Sequence, residues 1–400
     1  MKNQTITAPK GFLATGLHCG IKTGGKPDLA LLHCPTGAQA AAVFTTNKIV
    51  SAAVSVCREH IQSARICGAV LNSGNANACT GARGLADAKK MCQKAAALLK
   101  AKTEQVLIAS TGIIGHPLPI AAVRQGIDKA ASSLSSSASA GMNFARAILT
   151  TDTKVKNACR TITLNGKTVT LAGTVKGAGM IGPNMATTLC VLTTDAAIRK
   201  PLLARALRQA IDQSLNRLTV DGHQSTNDTA MILASGLAGN RPIQKQGTAF
   251  RRFQETLIDL CRDLARQMAL DAEGATRMFT VQIEQAATPQ QARQAARAVA
   301  NYDLVKCAVH GADPNWGRII CAVGSSGVQL NPQKLTCKIG KIPVFRNGKP
   351  VRFDPKKVSR IIAGKEHTIT VYLGAGQFSD FCMGCDLSPE YIRINADYHT

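Results

Sequence analysis

Aromatic residues are scarce in this chain: they make up 4% of its 400 residues, with a single tryptophan, Trp316. Acidic residues are scarce as well, 24 Asp and Glu against 48 Lys and Arg, which leaves a formal net charge of +24. Such a charge can draw in acidic small molecules or nucleic acid. Single-stranded nucleic acid is held on aromatic platforms set among basic residues. Here the basic residues are dispersed through stretches such as "RFQETLIDLCRDLARQ" and "QQARQAARAVANYD", where they read as solvated helix faces. No nucleic-acid partner is therefore expected, and a basic nucleic-acid-binding protein stands as the rival from a different class. Also missing is any run approaching the roughly 20 apolar residues of a membrane span. The opening "MKNQTITAPKGFLATG" has no apolar core of a secretory leader. The expectation is a cytoplasmic protein with no membrane partner.

The 14 cysteines are scattered from Cys19 to Cys385, which suits free buried thiols better than a disulfide framework. Cys382 and Cys385 form one C-x-x-C, but a structural zinc site takes four ligands and no second pair or His cluster is spaced to complete it. No metal is expected.

A hydrophobic content of 45% over this length supports one large domain or two lobes. Between Leu85 and Lys100 the apolar residues Leu85, Ala88, Met91, Cys92, Ala95 and Leu99 recur at helical spacing. Further amphipathic helices are expected near 200–217, 248–269 and 289–300. Asn165-Gly166 and Asn347-Gly348 suit two-residue hairpin turns. Segment 40–61 reads as strands followed by a polar turn, 67–81 as a strand entering a small-residue loop, and 105–115 as a buried strand ending in Ser110-Thr111-Gly112. The Ser- and Ala-rich 131–141 reads as a surface loop. Strands do not alternate strictly with helices, so a layered α+β fold is expected rather than a doubly wound parallel sheet.

The stretch "VKGAGMIGPNMATTLCVL" holds a G-x-G-x-x-G at Gly177, Gly179 and Gly182. A dinucleotide fingerprint must lead into a helix whose N-terminus holds the pyrophosphate. Here Pro183 and then Thr187 to Leu192 follow, which read as a strand. Two readings stand beside the nucleotide one. The loop is a plain strand connection whose glycines supply positive φ, or it is a self-processing site. In the latter, a tight turn sets a Thr hydroxyl against the preceding carbonyl, and cleavage frees an α-amine with a pKa of about 8 that can serve as base for that hydroxyl.

The pieces "TAPKGFLATG", "VFTTN", "NSGNANACTG", "STGIIG", "TTDT", "KGAGMIGPNMAT", "STNDT", "DAEGAT", "DPNWGRI" and "INADYHT" occur in this order from residue 7 to residue 400. On these the chain resembles the ornithine acetyltransferases of arginine biosynthesis, the bifunctional glutamate N-acetyltransferases. The resemblance implies an α/β/β/α-type layered sandwich shared with N-terminal-nucleophile aminopeptidases. It implies self-cleavage between Ala186 and Thr187, giving an α chain of 1–186 and a β chain of 187–400, two of each in a heterotetramer. Thr187 is then the nucleophile, Thr111 and Gly112 the oxyanion-hole pair, and Thr150, Lys176, Thr187, Glu273, Asn395 and Thr400 the substrate-binding residues. Thr153 competes with Thr150 within "TTDT". The implied reaction is transfer of acetyl from N2-acetylornithine to glutamate. Acetyl-CoA enters as a co-substrate of some members, and no other cofactor is implied. Hydrolysis by an aminopeptidase or amidohydrolase of the same chemistry is the near rival.

The chain departs from the family pattern at His223-Gln224, where an acidic and a small hydroxyl residue are expected, and at Thr188, where Met is usual. Its strong positive charge is a further departure. Asp313, Asn315 and Trp316 are expected to be structural, and the histidines, His116 and His310 among them, form no triad with Ser or Cys.

Overall fold

The computed structural model describes residues 3–182 and 188–397. Ala186, Thr187 and Thr400, expected at the site, lie outside the described residues. Two β-sheets carry an α+β fold. The eight-stranded sheet comprises β1 (Leu13–Leu17), β2 (Leu29–Phe44), β3 (Ile66–Asn75), β4 (Val106–Ile113), β5 (Lys156–Leu164), β6 (Lys167–Lys176), β7 (Leu189–Thr194) and β8 (Thr229–Ala234). Its order is β4-β3-β2-β8-β7-β6-β5, with β1 beside β2. The pairs β3–β4 and β7–β8 are parallel, and the others in this sheet are antiparallel.

Both faces of this sheet are covered, so β7 ("LCVLTT") and β8 ("TAMILA") are buried at every position. Strand alternation divides their side chains between two cores. Leu189, Val191, Met231 and Leu233 join the core beneath α1 (Ala52–His60), α2 (Gly81–Leu98), α3 (Ile120–Ser132) and α4 (Ala138–Ala147). Cys190, Leu192, Ala230 and Ile232 join the core beneath α5 (Lys200–Asp212) and α6 (Thr248–Leu270). Each such Leu, Ile or Val contributes roughly 1.5–3 kcal/mol.

The second sheet, ordered β12-β11-β10-β13-β9-β14, contains β9 (Met278–Ala286), β10 (Thr336–Ile339), β11 (Ile342–Arg346), β12 (Lys349–Pro350), β13 (Glu366–Tyr372) and β14 (Phe378–Cys385). Its own core lies against α7 (Pro289–Asn301), α8 (Asp303–His310), α9 (Trp316–Gly324) and α10 (Pro355–Ile362). Met278, Met383 and Cys385 turn the other way into the core of α5 and α6, and so tie the sheets together. The closing helix α11 (Pro389–Asp397) buries none of its residues. Among the described residues no helix is long and apolar enough to cross a membrane.

Both hairpins form as expected: Asn165 and Gly166 take φ of 51° and 74° between β5 and β6, and Asn347 and Gly348 take 50° and 74° between β11 and β12. Two local expectations are corrected. The later part of 40–61 is the helix α1, because Ser51 Oγ caps Val54 N (3.3 Å) and Ala53, Val56, Cys57 and His60 bury one face. The stretch 131–141 is only partly loop: α3 runs to Ser132, and α4 starts at Ala138, capped by Ser137 Oγ on Ala140 N (3.2 Å). Its small residues serve close packing, since a Cβ on Gly141 would stand 2.0 Å from Thr5 Oγ1.

Candidate active site

The glycine-rich loop joins antiparallel β6 to β7, strand to strand, and each glycine has a local cause. Gly177 N donates to Asp152 Oδ1 at 2.7 Å. A Cβ on Gly179 would stand 2.1 Å from Glu273 Oε2, and one on Gly182 would stand 2.5 Å from the carbonyl carbon of Gly222. The close approach that a pyrophosphate makes in a dinucleotide fold is made here by the carboxylate of Glu273.

Beside this loop lies a cavity of about 280 Å³ whose walls include Thr111, Gly112, Thr150, Lys176, Glu273 and Asn395. Residues far apart in the sequence thus share one space. Ser225, Thr226, Asn227, Asp221, His223 and Tyr391 complete much of the lining.

Thr111 and Gly112 end β4, which pairs with β3 through an irregularity at Gly74 and Asn75. Gly112 has φ of 131°, and a Cβ there would meet the Gly74 carbonyl carbon at 2.3 Å and Asn75 N at 2.5 Å. Only glycine lets the two strand ends meet so closely. Side-chain amides brace this corner: Asn72 Nδ2 donates to Asn75 O (2.8 Å), Ser110 Oγ to Asn72 Oδ1 (2.6 Å) and Asn77 N to Asn75 Oδ1 (2.8 Å). This is the physical content of "NSGNANA".

Lys176 ends β6 with only 2% of its surface exposed, and its Nζ donates to Thr150 Oγ1 at 3.1 Å. Burial pushes its ammonium pKa down, against the pull of Asp152 and Asp228. Asp152 is fully enclosed: Lys156 Nζ and Gly177 N donate to its Oδ1 at 2.6 and 2.7 Å, and Thr150 N to its Oδ2 at 3.0 Å. Burial alone would raise the Asp152 carboxyl, but Lys156, Lys176 and these hydrogen bonds hold it at about 2. Lys156 also pairs with Asp271 at 2.6 Å, and Asp271 accepts from Thr153 N, Thr153 Oγ1 and Lys154 N. Thr150 therefore faces the cavity, while Thr153 faces the ion network behind it.

Glu273 is anchored by its own N–H to Ala178 O (2.9 Å), and Asn395 Nδ2 of α11 donates to its Oε2 at 2.8 Å. Tyr391 OH and Met180 N both donate to Asp221 Oδ2, at 3.1 and 2.7 Å. The cavity thus brings the Lys176 ammonium, the Glu273 carboxylate and the Thr111–Gly112 strand end to one space. That pattern suits the ammonium and carboxylate of an amino acid plus a polarised acyl group.

Sequence reasoning left Asp152, Lys156, Asp271, Asn227 and Asp228 unassigned. "TTDT" and "STNDT" contain three of them, but nothing local marks Lys156 as buried. Other candidates lie elsewhere. Cys382 and Cys385 sit three apart on β14, so they face different cores, and burial pushes both thiols up to about 12. Among the described residues no group of three or more His, Cys, Asp or Glu is placed to hold a metal. Trp316 stacks on Phe345 at 5.2 Å between ring centroids. His310 pairs with Asp386 at 2.8 Å, away from the cavity.

The profile of the ArgJ family matches residues 13–400. Among curated proteins, the arginine biosynthesis bifunctional protein ArgJ of Symbiobacterium thermophilum is 44% identical over 397 residues, covering 99% of this chain and 98% of that protein. The protein of the same name from Bacillus cereus is 42% identical, over 100% and 98%. Among solved structures, the arginine biosynthesis bifunctional protein of Bacillus halodurans is 39% identical with a TM-score of 0.50, covering 52% of this chain and 97% of that one. The ornithine acetyltransferase of Mycobacterium tuberculosis, solved with ornithine, is 34% identical with a TM-score of 0.41, covering 46% and 96%.

Proposed function

This chain belongs to the ArgJ family, and on that premise we propose that it is an acyltransferase of arginine biosynthesis, a glutamate N-acetyltransferase taking acetyl from N2-acetylornithine. The observation that carries the reading is the single cavity shared by Thr111, Gly112, Thr150, Lys176, Glu273 and Asn395. The chain first cleaves itself between Ala186 and Thr187. The Bacillus halodurans chain is covered over 97% of its length by 52% of this one, a length in keeping with an α chain of 1–186 and a β chain of 187–400. Assembly as a heterotetramer of two α and two β chains, in the cytoplasm, belongs to the same proposal.

The freed α-amine of Thr187, with an ordinary pKa of about 8, takes the proton of its own hydroxyl as that oxygen attacks the acetyl carbonyl. Thr111 and Gly112 donate to the developing oxyanion, a contribution of about 3–4 kcal/mol per donor in comparable sites. Ornithine leaves with the proton, and the acetyl group remains as an ester on Thr187. Glutamate enters the same space, takes the acetyl group and returns the enzyme. Lys176 pairs with the substrate α-carboxylate, while Glu273, steadied by Asn395, receives the amino group; Thr150 and Thr400 belong to the same substrate-binding set. The ester stores the acyl group, so no metal or redox cofactor takes part, and acetyl-CoA serves as an alternative donor to Thr187.

Intact-mass analysis of the purified protein tests the first step: fragments of 1–186 and 187–400 are expected. Thr187→Ala is expected to stay a single chain and to lose acetyl exchange between acetylornithine and glutamate. Undiminished exchange in that variant would rule out Thr187 as the nucleophile.

A further inference from the structure

Two neighbouring residues that touch both halves of the site have no part in the chemistry above. Asn227 is 5% exposed, and its Nδ2 donates to two carbonyls across the cavity, Ala76 O at 2.6 Å and Ser110 O at 2.7 Å. Ser110 O belongs to the peptide whose N–H is that of Thr111, so this bond sets the plane of the strand end that carries the oxyanion-hole pair. The Asn227 amide is itself oriented by Thr226 Oγ1, which donates to its Oδ1 at 2.5 Å. Asp228, fully buried, turns the other way: its Oδ1 accepts from Thr188 N at 2.6 Å. Thr188 directly follows Thr187, and its carbonyl accepts from Thr229 N at 3.0 Å. One dipeptide at the entrance of β8 therefore grips the oxyanion strand with one side chain and the start of β7 with the next.

We infer that Asn227 and Asp228 are positioning residues that set the distance between the oxyanion hole and the residue that reacts. The inference rests on Thr187 being that residue. The spacing between nucleophile and oxyanion donors decides an acyl-transfer rate, and an error of about 1 Å there costs about 10²-fold. The second oxygen of Asp228, Oδ2, is buried and has no hydrogen-bond partner among the described residues. A buried, unpaired carboxylate oxygen is costly. A neutral carboxyl lowers that cost by removing the charge and keeps an acceptor for Thr188 N. Burial accordingly pushes the Asp228 pKa well above the carboxylate range, against the Thr188 N–H bond and Lys176. A neutral Asp228 is mimicked by asparagine, which also has one acceptor and a donor.

The test compares Asp228→Ala, Asp228→Asn and Asn227→Asp with the wild type and with Thr187→Ala. Readouts are intact mass over time, kcat and KM for both substrates, and thermal melting. Asp228→Ala and Asn227→Asp are expected to slow both cleavage and kcat at least about tenfold, with each KM within about twofold, because orientation is lost and binding is not. Asp228→Asn is expected to restore both to within about threefold, since its amide replaces the neutral acid group for group. A merely structural role would move melting without this split or this rescue. Wild-type rates in Asp228→Ala and Asn227→Asp overturn the inference, and so does an Asp228→Asn variant as slow as the alanine one. An uncleaved wild type, or an active Thr187→Ala, overturns the nucleophile reading and this inference with it; a cleaved wild type with an inert Thr187→Ala leaves the three variants to decide the inference alone.

Discussion

Gly112→Ala should abolish most turnover while leaving the fold standing. Its added Cβ would stand 2.3 Å from the Gly74 carbonyl carbon and 2.5 Å from Asn75 N, both backbone atoms, where ordinary contact starts at 3.4 Å. No flexible side chain is available to yield, so the ends of β3 and β4 must part by about 1 Å, a displacement that costs about 10²-fold in a reacting geometry. The Gly112 N–H then points away from the oxyanion it should hold. Loss of one such donor costs about 10²–10³ in kcat, with KM little changed because the proposed contacts for the amino-acid ends of the substrate, Lys176 and Glu273, are separate residues. The positive φ of 131° adds strain of about 1–3 kcal/mol. Gly115→Ala separates the two effects. Gly115 also has a positive φ, of 84°, but nothing lies within 4 Å of its Cβ position. It should lower melting while keeping kcat. The assay is steady-state acetyl exchange alongside intact mass and melting. A Gly112→Ala enzyme with wild-type kcat, or a Gly115→Ala enzyme equally impaired, would refute the argument from displacement.

Glu273→Gln keeps a group for Asn395 to meet but removes the charge, and should raise KM for the amino-acid substrates about 10–100-fold, the worth of a charged hydrogen bond; an unchanged KM would place the substrate amine elsewhere. Asp152, held at about 2 against an ordinary 3.8, contributes stability that is full above about pH 4 and lost as pH falls through about 2. Unfolding free energies measured from pH 5 to 2 should therefore fall in that window, and Asp152→Asn should start lower and lack this part of the slope. Trp316→Ala should cost about 1–3 kcal/mol of stability through its lost contact with Phe345, while acetyl exchange in the folded fraction stays at the wild-type level.

Much of the fold is legible in the sequence wherever one local rule governs. The helical repeat from Leu85 to Leu99 falls on α2, and both Asn-Gly pairs turn hairpins. Local rules fail where packing decides. "SAAVSVCREH" carries an apolar run that suits a strand, and only the cap at Ser51 and a core waiting for one face make it helical. Runs of Ser, Ala and Gly before Phe144 resemble loop, yet the same smallness lets α4 press on β1, where a Cβ on Gly16 would stand 2.1 Å from Asn143 O. The glycine loop could be separated from a phosphate cradle by the strand that follows it. What filled the space was not legible, because Glu273 arrives from nearly a hundred residues away. Lys156 sits in a strand whose neighbours alternate in and out, and its burial follows only from Asp152 and Asp271 converging on it.

The strand order has a consequence for how such a molecule is made. β7 and β8 lie between β2 and β6, so a cut before Thr187 leaves the second piece's two central strands wedged inside the first piece's sheet. Six paired residues on one flank and six on the other hold the wedge. A cut molecule would then behave as one particle in the column and the centrifuge until it is denatured. After denaturation, recovery would become a second-order encounter between two incomplete sheets, slow when dilute and prone to mispairing of open edges. Folding before cutting would thus be a one-way sequence: the intact chain would assemble by itself, and a cut form would inherit an architecture it could not readily rebuild.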